Sequence, residues 1–127
     1  MDNPPIRTLI YYGSYRMRHL LTITLSLGLM IPVIGWNQEL KPVDTGELLA
    51  LETQGALVVD IRTPAEWKAS GIIPGSHPLT FYDAEGRFDL AAFAAAVNQV
   101  SADSKRPVVL VCRSGHRSAE AGQLLAN

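Results

Sequence analysis

A chain of 127 residues, 47% hydrophobic and 18% charged, suits one globular domain plus an additional apolar segment. Eleven Lys and Arg against twelve Asp and Glu leave a formal net charge of −1 with no basic stripe or tail, which argues against a partner held by phosphate charge, nucleic acid included. The single cysteine excludes an internal disulfide and an internal resolving thiol.

The additional apolar segment lies near the N-terminus. Residues 20–34 carry no charge and follow Arg16, Arg18 and His19. At about 1.5 Å per residue this run spans roughly 22 Å, short of the ~30 Å hydrocarbon core of a bilayer. Residues 1–35 therefore read as a signal peptide cleaved after Gly35, with an uncleaved membrane anchor reaching Trp36 as the alternative. Pro4, Pro5 and three tyrosines make residues 1–16 unlike the start of a signal peptide, whereas Met17, Arg18, His19 and Leu20 resemble one, so translation is expected to begin at Met17. The expected location is exported and periplasmic, or anchored to the inner membrane, with membrane contact only through this segment. Residues 36–127 hold eight Lys and Arg against eleven Asp and Glu, a net charge of −3.

Residues 36–43 read as a linker. Asp44, Thr45, Gly46 and Glu47 have capping-box spacing, and Leu48, Leu49 and Leu51 supply the apolar face of a short helix closed by Gly55. Residues 56–61 form a continuous apolar run ending in Asp60 and Ile61, as expected of a strand buried on both faces of a parallel sheet. Thr63 as N-cap, Pro64 at the first helical position and Glu66 three residues after the cap start a second helix, which Gly71 ends. A weak strand is expected around residues 77–80 and a polar loop over 81–88. Asp89 caps a longer helix over 90–100, with Phe93, Val97 and Val100 at helical spacing. Residues 101–107 read as a loop. The alternation of helices and strands predicts an α/β domain with a mainly parallel sheet, whose ligands bind beyond the carboxyl ends of the strands, where Asp60 and Cys112 lie.

The chemistry concentrates after the last strand. Val108 to Val111 are four aliphatic residues behind Pro107, and they deliver Cys112 to a polar loop of Arg113, Ser114, Gly115, His116, Arg117 and Ser118. A helix is expected from residue 119 to 125. Unpaired N–H groups of a helix start, its macrodipole and two arginines all favour an anion, so the thiol is read as a thiolate nucleophile. The plainer alternative is a small buried hydrophobe at a strand end. Asp60 and Arg62 are read as supporting groups, Asp60 capping a turn and Arg62 pairing with Glu66. His116 is read as a solvent-facing loop residue, and no cysteine or histidine spacing suggests a metal site.

Three segments in order resemble the signatures of a single-domain rhodanese: residues 60–67 (DIRTPAEW), 71–76 (GIIPGS) and 112–118 (CRSGHRS). The resemblance covers about residues 44–127 and implies a rhodanese-like three-layer α/β fold with a mainly parallel central sheet flanked by helices. It also implies a sulfurtransferase without cofactor. Cys112 would take sulfane sulfur from a small anionic donor such as thiosulfate and pass it from a persulfide to a thiophilic acceptor such as cyanide or a thiol. By that analogy the loop backbone from Arg113 to Ser118 cradles the sulfur, Arg113 and Arg117 attract the donor, and Asp60 and Arg62 stand near the loop. A cysteine phosphatase or arsenate reductase is the alternative enzyme, but those resemble Cys-x5-Arg, whereas Arg117 follows Cys112 at Cys-x4-Arg. A non-catalytic binding module of the same fold is the alternative outside enzymes. Ile72 stands where the family usually has His, and Ser76, His77 and Pro78 replace a more apolar strand start. Family members continue into a further strand and helix after the helix that follows the loop, so by that resemblance the domain is C-terminally truncated, and either the sequence is a truncated product or something else covers the sheet edge this leaves.

Overall fold

The computed structural model describes residues 8–11, 40–101 and 106–126. In chain order the elements are β1 (Thr8–Tyr11), β2 (Leu40–Val43), α1 (Thr45–Thr53), β3 (Leu57–Asp60), α2 (Pro64–Ser70), β4 (His77–Pro78), α3 (Leu90–Val100), β5 (Val108–Val111) and α4 (His116–Ala126). The proposed leader and the start at Met17 lie outside the described residues, except that Thr8–Tyr11 is a strand. None of the described helices is long and apolar enough to cross a membrane.

Local chemistry places the helices. Asp44 accepts the Glu47 N–H at 2.8 Å and caps α1. Asp89 accepts the Ala92 N–H at 3.0 Å and caps α3. Thr63 and Glu66 close a full capping box around Pro64 at the head of α2. Gly71 ends α2 with φ of +80°, a backbone angle that side chains with a Cβ rarely adopt.

The sheet has the order β2-β1-β5-β3-β4. β5, β3 and β4 are parallel, with Leu57 opposite Val108 and Asp60 opposite Val111. β1 runs antiparallel to both of its neighbours, pairing Thr8 with Val43 on one side and with Val111 on the other. One feature departs from the sequence expectation: residues 40–43, read as part of a linker, form β2. The sheet edge that something else had to cover is the side of β5 on which β1 pairs. Neither strand carries a signal that identifies its partner, because each finds that partner far away in the chain.

Alternation along the two central strands divides the core between two layers. Leu57, Val59, Ile61, Val108, Leu110 and Cys112 face α3 and α4, where Phe81, Phe93, Val97 and Ala121 complete the cluster. Val58, Val109 and Val111 face the other way, against Val43, Leu48 and Ala56. The loop of residues 81–88, read as polar, has an aromatic anchor: Phe81 packs edge-on to Phe93 at 5.0 Å and stacks on Phe88 at 4.8 Å. α4 lies across the sheet so closely that a Cβ at Gly122 would come within 3.3 Å of Leu40 in β2. Because β3 and β5 end level with each other, with Asp60 opposite Val111, Asp60 and Cys112 lie one residue out of register at the carboxyl end of the sheet.

Candidate active site

Cys112 directly follows β5 and is fully buried. Its Sγ faces a ring of donors made by the chain turning back on itself. The Gly115 N–H points at Sγ from 3.1 Å and the Ser118 N–H from 3.4 Å, while Ser118 Oγ lies 3.3 Å away. Gly115 adopts φ of +84°, which is how its N–H reaches back toward the sulfur. α4 begins at His116, three residues before the helix expected from sequence, so the loop is itself the first turn of a helix. Its N–H groups at Ser114, His116 and Arg117 meet no acceptor among the described residues, the normal state of a helix start and an invitation to an anion.

One hydroxyl hydrogen has two claims on it. Ser118 Oγ also lies 3.1 Å from the Gly115 carbonyl, to which it donates. When Cys112 is a thiol, S–H can donate to Ser118 Oγ while the hydroxyl donates to Gly115. A thiolate has no proton to give, so the hydroxyl must rotate toward Sγ and leave the Gly115 carbonyl. Ser118 thus serves both protonation states of the sulfur from one position.

The arginines around the loop have different roles. Arg117 holds Glu66 through two parallel bonds of 2.8 and 2.7 Å, tying the head of α4 to the head of α2. This contact with Arg117, assisted by the Thr63 N–H and hydroxyl against the opposing effect of burial, holds the Glu66 carboxyl at about 2. The Arg117 guanidinium is stabilised in return, chiefly by Glu66 and in part by Cys112 beside it. Arg62 was expected to pair with Glu66, but it pairs with Asp60 instead, through bonds of 2.8 and 2.6 Å. The reason is geometric: Glu66 already faces Thr63 and Arg117, while Asp60 ends β3 two residues before Arg62. Burial alone would push the Asp60 carboxyl up, but bonds from the Arg62 side chain and N–H bring it below its ordinary range. Trp67 Nε1 itself has no hydrogen-bond partner among the described residues. Arg62 also binds Ser70 Oγ and the Gly71 carbonyl, each at 2.8 Å, and so fixes the end of α2.

Arg113 is exposed, and among the described residues it makes no ion pair. It stands at the rim of a cavity of about 420 Å³ whose floor includes Cys112 and Val111. Arg62, Glu66 and Ser70 form the polar side of this cavity, and Ile72, Ile73 and Pro74 the apolar side. Ser114 and His116 are exposed, and His116 is the first residue of α4 rather than part of a free loop. All the residues singled out in sequence therefore gather at one end of the sheet. Sequence reasoning missed Glu66 as the partner of Arg117 and the 72–74 wall. The first had a partial signal, since a capping carboxylate keeps lone pairs for a second partner. The second had none, because an apolar stretch after a helix reads equally well as core.

The family model described as "Rhodanese-like domain" matches residues 44–127. No curated protein matches the chain, and no solved structure does.

Proposed function

The chain belongs to the rhodanese-like domain family, and from that premise we propose that it is a sulfurtransferase working through a persulfide on Cys112. The observation that carries the reading is the seat of the sulfur: Sγ faces the N–H groups of Gly115 and Ser118, and Cys112 is among the residues lining a cavity. Donors fixed before the reaction stabilise a sulfur anion without having to reorganise around it.

In the first half-reaction the Cys112 thiolate attacks the outer sulfur of a donor such as thiosulfate. The new Sγ–S bond forms as the donor's S–S bond breaks, and sulfite leaves with the bonding pair. Arg113 attracts the anionic donor, since the charges of Arg62 and Arg117 are already matched by Asp60 and Glu66. The N–H groups of Ser114, His116 and Arg117 take up the charge on the transferred sulfur. In the second half-reaction cyanide or a thiolate attacks the outer persulfide sulfur, and Cys112 returns as the thiolate. Phosphoryl transfer is the poorer reading. The loop has Cys-x4-Arg spacing rather than Cys-x5-Arg, and two of the five N–H donors of Arg117, with its charge, are already taken by Glu66.

Mass spectrometry of the folded protein after thiosulfate tests this reading. Cys112 is expected to gain one sulfur atom that cyanide removes, and Cys112→Ser to gain none. A folded sample that gains no sulfur leaves the non-catalytic binding module as the better reading, and hydrolysis of phosphate esters without sulfur transfer would revive the phosphatase.

A further inference from the structure

The inference concerns the acceptor and rests on the sulfur-transfer reading above. Because Cys112 is fully buried, whatever takes its sulfur must enter through the cavity above it. At about 30 Å³ per water, 420 Å³ is on the order of ten water volumes, well beyond what cyanide or thiosulfate fills. Ile73 and Pro74 of its apolar wall are shared with a second cavity of about 470 Å³, which runs under Leu48 and Leu49 of α1. Three large hydrophobic residues of the described chain stand exposed: Leu49 at 58%, Ile72 at 49% and Phe88 at 41%. Phe88 is accounted for by its stacking on Phe81. The other two line one cavity each, and the cavities adjoin at Ile73 and Pro74, so that an apolar surface leads from the cavity lined by Cys112 to Leu49.

We propose that this path is the docking groove for a protein acceptor, in which an extended segment presents a cysteine to Cys112 and an apolar side chain to Leu49. The polarity of the groove fits a peptide running in one sense. Arg113 at the sulfur end favours an acidic residue beside the incoming cysteine, and Glu52 at the far end disfavours a second one there. The acceptor thiolate attacks the outer sulfur of the Cys112 persulfide. The outer sulfur, left anionic by the first half-reaction, takes a proton from water; the new S–S bond then forms as the bond to Sγ breaks, that proton stays with the transferred sulfur, and the Cys112 thiolate takes the bonding pair.

The test uses the full chain, charged with thiosulfate, and two cysteine peptides that differ only in carrying Leu or Ser within three residues of the cysteine. The Leu peptide is expected to discharge the persulfide roughly tenfold faster, as partial burial of one leucine allows. Leu49→Ser is expected to reduce that preference to about twofold or less while cyanide discharges the persulfide at the parental rate. Equal rates for the two peptides overturn the groove while leaving the sulfur-transfer reading intact, as does a small hydrophilic thiol that matches the Leu peptide at equal thiolate concentration. Absence of any persulfide overturns both.

Discussion

At the scale of single residues, the site depends on one glycine and one carboxylate. Gly115 sits at φ of +84°, where a Cβ is strained, and its N–H is the shortest backbone contact to Sγ. Gly115→Ala is expected to cost on the order of 1–2 kcal/mol of stability. It should also slow persulfide formation by tenfold or more, since relief of the strain turns the N–H away from the sulfur. Denaturant titration beside single-turnover sulfur transfer measures the two effects separately. Glu66 gives a pH signature. Its carboxyl is held at about 2 in the fold, below its ordinary 4.5, so the Arg117 pair stabilises the protein above pH ~4.5 and is lost as pH falls toward 2. At roughly 1.4 kcal/mol per unit this amounts to about 3 kcal/mol at most. Glu66→Gln should therefore be destabilised at pH 7 and flatten the stability profile between pH 5 and 2, as thermal unfolding across that range would show. An unchanged profile would mean that the pair contributes nothing net. Residue identity was legible at this scale and pairing was not: the sequence marks Asp60, Arg62, Glu66 and Arg117 as a charged set, but which carboxylate meets which arginine depends on where two helix heads come together.

At the scale of elements, what could be read was local. The caps at Asp44, Thr63 and Asp89 act within three residues of themselves, so the three helices they start were legible in sequence. β3 and β5 were legible because burial on both faces leaves an unbroken aliphatic run. The start of α4 was missed because Gly115 and His116 look like loop residues, and only the turn back toward Sγ makes them the head of a helix. β1 and β2 were missed because their pairing is set by the sheet. β1 lies between two strands, so its backbone groups face partners on both sides. Proline in its interior removes a donor that pairing on both sides requires. Ile10→Pro is therefore expected to release the amides of Val108–Val111 to faster hydrogen exchange and to speed alkylation of Cys112, which lies next along the chain. Ile10→Val should leave both as they are. Unchanged protection of β5 in the proline variant would mean that β1 contributes no pairing there.

At the scale of the whole molecule, the N-terminal part of the chain and the active-site strand are neighbours in one sheet. Among the described strands β2 is hydrogen-bonded only to β1, and β1 pairs with the strand that ends at Cys112. Cleavage after Gly35, the event expected of a signal peptide, would separate β1 covalently from β2 and from the remainder of the domain. A sheet that loses a central strand leaves the N–H and C=O groups along one side of β5 without partners, in a strand whose side chains are buried. If β1 keeps this pairing in solution, residues 8–11 are expected to stay with the domain, either uncut or bound after the cut. A recognition sequence for a site-specific protease, inserted after Gly35, distinguishes these outcomes. The N-terminal piece is expected to remain with residues 36–127 through size-exclusion chromatography in native buffer and to separate in denaturant. After refolding alone, residues 36–127 should melt at least several degrees lower, since each ~1 kcal/mol lost moves the Tm of a domain this size by roughly 4–8 °C. If residues 36–127 alone keep the Tm and the persulfide chemistry of the full chain, β1 is dispensable and the cleaved, exported form becomes the working protein.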